Sequence, residues 1–139
     1  MATVRYIVDD VQAAVDFYRD ELGFRLIMHP APEFAMLTAG DLRLTLSSPV
    51  AADHPGGGSR PMADGTTQRP GGWNRFALEV DDLAETVERL RQHGVRFRSE
   101  IVFGIGGNQA LAEDPSGNPI ELFQPTIPEA REQAAFDAE

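Results

Sequence analysis

The chain carries the same pattern twice, and this constrains its fold more than any other property of its 139 residues. Laying Val8-Asp9-Asp10-Val11 on Val80-Asp81-Asp82-Leu83 also lays Val15 on Val87 and, with one residue of slippage, Gly23 on Gly94 and Arg25 on Arg96. A repeat of this period duplicates a supersecondary unit rather than a single element. In the first copy, Thr3 to Val8 has the β-branched and aromatic content of a strand. Asp9 and Asp10 stand at a capping position, Val11, Ala14, Val15, Tyr18 and Leu22 recur at helical spacing, and Gly23 supplies a stop, which predicts a helix over 10–22. Residues 24–29, 34–39 and 42–48 read as strands, separated by Pro30, Pro32 and Gly40-Asp41. The second copy gives a strand over 75–80, a helix from Asp81-Asp82 to His93-Gly94, and strands over 97–102, 109–113 and 119–124. One helix cannot cover both faces of a sheet. The pattern therefore predicts an α+β fold of two tandem βαβββ modules, forming a cup-shaped mixed sheet around a cavity.

The modules run over about 3–48 and 73–125, so that 1–125 make one domain. Between them, residues 49–72 are polar and rich in proline and glycine, framed by His54-Pro55-Gly56-Gly57-Gly58-Ser59 and Pro70-Gly71-Gly72. Such a stretch is either a connector or a lid over a binding site. Residues 126–139 form a charged, alanine-rich tail that makes a surface helix or frays.

Composition excludes several chemistries. The sequence has no cysteine, hence no disulfide, thiolate nucleophile or thiolate metal site. All 12 of its basic residues are arginines, which removes Schiff-base chemistry and a phosphate-loop lysine. A net charge of −10 disfavours nucleic acid and anionic membranes as partners. No apolar run approaches the ~20 residues of a membrane span and no basic-then-apolar leader is seen, so the expected compartment is the cytoplasm.

The stretch that points furthest towards function is Glu113-Asp114-Pro115-Ser116-Gly117-Asn118-Pro119-Ile120-Glu121-Leu122-Phe123. It reads as a turn feeding a strand with an aliphatic face, Ile120 and Leu122, and a second face carrying Glu121 and Phe123. A carboxylate so placed is a metal ligand, an acid or base, or half of an ion pair.

With the doubled βαβββ unit and the aspartate pair before each helix, this stretch resembles the vicinal oxygen chelate superfamily, which includes glyoxalase I, extradiol dioxygenases, fosfomycin-resistance enzymes and bleomycin-resistance proteins. The resemblance covers residues 3–125 and also includes Phe17-Tyr18 and Leu22-Gly23-Phe24. It implies a shared cavity and a homodimer. In metal-dependent members, histidines and glutamates from the first and last strands of each unit hold the metal; those positions fall here on Thr3, Thr45, Arg75 and Glu121. Only Glu121 suits a divalent cation, and a guanidinium among the four would repel it, so a divalent metal is disfavoured and no cofactor is expected. Arg75 and Glu121 are instead expected to form a buried, bidentate ion pair where the metal would sit.

Thr3, Arg5, Arg43, Thr45 and Ser47, with Arg75, Glu121 and Phe123, are the candidate ligand-binding residues, and Glu121 is the candidate catalytic group. The expected function is metal-independent binding of a small organic molecule in the inter-module cavity, as in the bleomycin-resistance branch. The alternative is a glyoxalase-like lyase or isomerase, or a dioxygenase-type enzyme, with an atypical metal site or with Glu121 and Arg75 acting alone. His29, His54 and His93 lack the paired spacing of metal ligands, although His29 or His54 could reach the cavity from its rim. Phe34, Met36, Phe103 and Phe123 are candidate walls, Trp73 a linker anchor, and 105–108 a hairpin connection.

Overall fold

The computed structural model describes residues 1–131. The chain divides into two compact units, Met1–Trp73 with Asp114–Asn118, and Asn74–Glu113 with the chain from Pro119 onwards. Each contains one four-stranded mixed sheet and one longer helix. Among the described residues no helix is long and apolar enough to cross a membrane.

In the first unit β1 (Ala2–Ile7), α1 (Val11–Asp20), β2 (Arg25–Ala31), β3 (Phe34–Ala39) and β4 (Leu42–Ser47) give the sheet order β1-β4-β3-β2. β1 runs parallel to β4, and the other two pairings are antiparallel. Only the second aspartate of the Asp9-Asp10 pair caps α1, its carboxylate accepting from the Ala13 N–H at 3.0 Å. Val11, Ala14, Val15 and Tyr18 are buried from the helix, and Val8, Leu37, Leu44 and Leu46 from the sheet and its edge. The Tyr18 ring meets Phe17 and Phe24 edge-on, with centroids 5.0 and 5.5 Å apart.

The second unit repeats this arrangement with β5 (Ala77–Glu79), α2 (Leu83–Gln92), β6 (Val102–Phe103), β7 (Gly107–Glu113) and β8 (Pro119–Pro125) in the order β5-β8-β7-β6. Asp82 caps α2 through the Glu85 N–H at 3.1 Å, matching Asp10 in the first repeat. Leu83, Val87 and Leu90 form the buried stripe.

The second unit departs from the strands expected for it. The continuous strand over 97–102 is broken into a single bridge from Phe97 to Ala112 and the two-residue β6. Five steps from Phe97 to Val102 face only three from Ala112 to Gln109, so the surplus residues leave the ladder. The glycine run over 105–108 is not wholly a connection, since β7 begins at Gly107. A Cβ there would collide with the Phe123 ring and lie 2.8 Å from the Gln124 carbonyl oxygen, so glycine is what lets that ring lie across the strand. A 3₁₀ turn covers Pro128–Arg131, and the rest of the predicted tail lies outside the described residues.

Candidate functional site

Strand register settles which side chains share a face. In the first sheet Arg25, Thr38, Arg43 and Thr3 lie in one cross-strand row, Met36, Thr45 and Arg5 in a second, and Phe34, Ser47 and Ile7 in a third. All five candidates from this unit, Thr3, Arg5, Arg43, Thr45 and Ser47, therefore stand on one face. The opposite face carries Leu26, Leu37, Leu44, Val4, Ala35, Leu46 and Tyr6. Laying Val8 on Val80 lays Arg5 on Ala77; because Arg5 pairs with Thr45 and Ala77 with Glu121, Thr45 and Glu121 occupy equivalent positions of the repeat.

A cavity of about 460 Å³ opens at the third row. Arg5, Phe34 and Ser47 contribute from the sheet, Ala31 and Glu33 from the β2–β3 hairpin, and Val50 and His54–Ser59 from the segment that follows β4. Chain 49–72 is thus more than a connector: its first half walls a cavity. It is stitched down by backbone and side chains together. Arg5 donates from Nη1 to the Gly58 carbonyl at 3.0 Å, Val50 N–H to the Ser59 carbonyl at 3.3 Å, and the Ser59 hydroxyl to the Ser48 carbonyl. His54 accepts the Gly56 N–H at Nδ1 (2.9 Å) while its Nε2 lies 3.0 Å from Glu33 Oε1, which selects the Nε2–H tautomer of the neutral ring.

Two features of this cavity bear on ligands. Ser47 is 2% exposed, and its hydroxyl has no hydrogen-bond partner among the described residues. Gly58 lies so close to Arg5 that a Cβ would stand 2.6 Å from Nη1 and 2.8 Å from Cζ. Glycine at 58 is therefore what admits the guanidinium. Glu33 escaped the sequence reading, which gave 49–72 as either a connector or a lid over a binding site and His54 as a rim candidate.

In the second unit Arg75 precedes β5, and its Nη2 and Nε stand 2.9 and 3.2 Å from Glu121 Oε1. The expected ion pair is present but differs in two respects. The side chains are 28% and 21% exposed, so it is only part-buried, and both N–H groups reach one oxygen rather than forming a two-oxygen fork. The strand predicted over 75–80 shortens to Ala77–Glu79, which leaves Arg75 on less regular chain at its start. Phe123, two residues beyond Glu121 on the same face, lies over Gly107. Gln109 pairs with Phe123, and its Oε1 is buried without a partner among the described residues.

The conspicuous turn 114–118 belongs to the first unit. Asp114 is 1% exposed and accepts from the Tyr18 hydroxyl, the Ser116 and Asn118 N–H groups, and Asn118 Nδ2 at 2.8–3.0 Å. Asn118 also donates to the Ile7 carbonyl at 2.8 Å and accepts the Gly71 N–H at 2.7 Å, and the Ser116 hydroxyl accepts the Asp9 N–H at 2.8 Å. These polar groups satisfy one another and the backbone, so the turn is a structural clasp.

The glyoxalase/bleomycin resistance protein/dioxygenase superfamily matches residues 1–122. The chain belongs to this superfamily. Among superfamily relatives, a lactoylglutathione lyase of Escherichia coli O157:H7 is 30% identical over 122 residues, 84% of this chain and 86% of that protein. The solved structure of the antibiotic binding protein TnmS3 from Streptomyces sp. CB03234 is similar at 27% identity and a TM-score of 0.65, covering 89% of this chain and 93% of that one. The fosfomycin resistance protein FosX from Listeria monocytogenes shares the fold at 16% identity and a TM-score of 0.68, covering 94% and 96%.

The superfamily's metal positions do not fit a metal here. Thr45 Oγ1 accepts from Arg5 Nε at 3.4 Å and donates to the Val4 carbonyl at 3.5 Å; Thr3 is an exposed hydroxyl; Glu121 Oε1 is engaged by Arg75. The two neutral hydroxyls in the first unit, and a carboxylate already occupied by a cation in the second, are each poor donors for a divalent ion. Among the described residues, no three or more histidines, aspartates or glutamates converge elsewhere.

Proposed function

We propose that this superfamily member is a binding protein that holds a small organic molecule against the polar face of its first sheet, without a metal at the positions used by metal-dependent members. The observation that carries this reading is the Ser47 hydroxyl, buried and without a partner among the described residues, in the wall of a cavity of about 460 Å³. An unsatisfied buried hydroxyl costs about 1–3 kcal/mol. A bound molecule that hydrogen-bonds to it recovers that cost on binding. The cavity volume is ordinary for small-molecule sites, and Ala31, Phe34, Val50 and Pro55 give it an apolar lining around a few polar anchors. The similarity to an antibiotic binding protein supports the same reading.

A second reading, that the chain is a lyase or isomerase, is favoured by the 30% identity to a lactoylglutathione lyase and by Glu121 at one superfamily ligand position. In that case Glu121 and Arg75 carry the chemistry. Proton acceptance at Oε1 then requires the pair to open, because that oxygen already receives two N–H groups.

Chelator-treated protein screened against small organic compounds, by melting temperature and then calorimetry, tests the first reading. The expected result is saturable binding of one molecule per chain that is weakened by Ser47→Ala. Turnover of a glutathione hemithioacetal by the chelator-treated protein, abolished by Glu121→Gln, would replace it with the second.

A further inference from the structure

We infer that the molecule taken by this site is a small organic anion, an apolar body ending in a carboxylate or a similarly charged oxyanion. The inference rests on the first-sheet face being the ligand site, as proposed above, and adds the charge of what it takes.

The chain has 22 acidic residues against 12 arginines, yet the four strands of its first sheet contain no aspartate or glutamate. They contain three arginines, Arg5, Arg25 and Arg43, and the register puts all three on the polar face. The second sheet is the reverse: its strands hold Glu79, Glu113 and Glu121 and no arginine. Two copies of one unit have thus acquired opposite charge, and in a chain of net charge −10 a purely cationic sheet face has gone against the composition.

Nor is this cationic charge neutralised locally. Arg19, Arg75, Arg91 and Arg98 each have a carboxylate within 4 Å, whereas Arg5, Arg25 and Arg43 have none among the described residues. Arg5, which lines the cavity, bonds only to neutral oxygens, Thr45 Oγ1 and the Gly58 carbonyl. Its guanidinium offers five N–H donors, of which two are so used. Glu33 also lines the cavity, but its Oε1 faces His54 Nε2.

Arg5 and Ser47 lie on adjacent strands, one step apart on the same face: Arg5 pairs with Thr45, and Ser47 is two residues further along. A carboxylate can accept N–H groups from the first and the O–H of the second together, and charge-assisted bonds of this kind are roughly twice as strong as neutral ones. The orphan hydroxyl and the unpaired cation are thereby satisfied by one chemical group. The apolar lining of the cavity takes the rest of the ligand.

The test uses three probes with the same single-ring body, phenylacetate, phenylacetamide and phenethylamine, titrated into the full-length chain while backbone amide NMR signals are followed. The expected result is that phenylacetate shifts the amides of Ser47, Val50 and Gly58 and binds at least about ten-fold more tightly than the amide, with the amine weakest. Arg5→Gln should erase most of that preference. So should Gly58→Ala, which displaces the guanidinium without removing it and stands as an independent check if Arg5→Gln folds poorly. Binding of the amide or amine at these amides as tight as that of phenylacetate would overturn the charge assignment and leave the ligand site standing. No shift at these amides with any probe at millimolar concentration would overturn both.

Discussion

The hydroxyl of Tyr18 donates to Oδ2 of Asp114 at 2.8 Å, across 96 residues of sequence. Tyr18 is wholly buried and Asp114 nearly so, and the remaining acceptor capacity of the carboxylate is taken up by the Ser116 and Asn118 amides and Asn118 Nδ2. Removing the carboxylate strands four donors, whereas removing the phenol strands one acceptor site. Asp114→Ala is expected to cost about 3–5 kcal/mol and Tyr18→Phe about 1–3 kcal/mol, as measured by urea unfolding. A loss below ~1 kcal/mol for Asp114→Ala would contradict a structural clasp.

Burial, and secondly the Asp114 charge, raise the Tyr18 pKa well above the ordinary 10.0 of a phenol. The unfolded chain releases this proton near pH 10 while the native protein keeps it. The contribution is therefore fully present below about pH 10 and is lost as pH rises from there through the folded pKa. Melting temperature should fall more steeply between about pH 9 and pH 11 in the native sequence than in Tyr18→Phe. Tyr6, the other tyrosine, is common to both proteins and cancels in the comparison.

The Arg75–Glu121 pair sits where a fully buried pair was expected, but water reaches both side chains. Arg75→Ala should consequently cost about 1 kcal/mol rather than the 3–5 kcal/mol of stranding a buried charge. A double-mutant cycle with Glu121→Gln should give a coupling of the same size that shrinks in high salt. A cost above ~3 kcal/mol would show the pair to be far better shielded than its exposure implies.

Ser47→Ala removes a buried hydroxyl that has no partner among the described residues. The ligand-free protein should be unchanged or about 1 kcal/mol more stable, while ligand affinity falls. Thermal unfolding with and without the bound compound separates the two effects; destabilisation of the ligand-free protein by 2 kcal/mol or more would mean that the hydroxyl has a structural partner.

A methyl group at Gly107 would meet the Phe123 ring and the Gln124 carbonyl. Gly107→Ala should destabilise by about 1–3 kcal/mol through overpacking, and Gly107→Ala with Phe123→Leu should recover part of the loss. Equal unfolding midpoints for the single variant and the native chain would show that the ring has room to move.

The repeat made the architecture legible, because strand and helix periods recur in the same order and Asp10 and Asp82 mark equivalent starts. Alternation along β4 also put Thr45 and Ser47 on the face of Arg43, as the register bears out. What the sequence concealed depends on contacts between distant residues. The 49–60 chain has no periodicity, so its seat on the first sheet rests on single bonds such as Arg5 to Gly58. Asp114 reads in the sequence only as part of a turn, and its partners Tyr18 and Asn118 appear only in the fold. The break in the 97–102 strand is a mismatch of ladder lengths that neither segment reveals alone.

The clasp has a consequence for how the protein is made. Tyr18 leaves the ribosome 96 residues before Asp114, so the first sheet and helix emerge while a wholly buried phenol has nothing to donate to. The Ile7 carbonyl waits as long for Asn118. A nascent chain stopped at residue 73 should therefore be a loose, protease-sensitive intermediate, and the first half becomes fully native only when the last hairpin arrives. For the same reason the first copy, cut free of the second, would lack its clasp. What began as a duplication is now a single inheritance, because a turn encoded in the second copy is structurally part of the first.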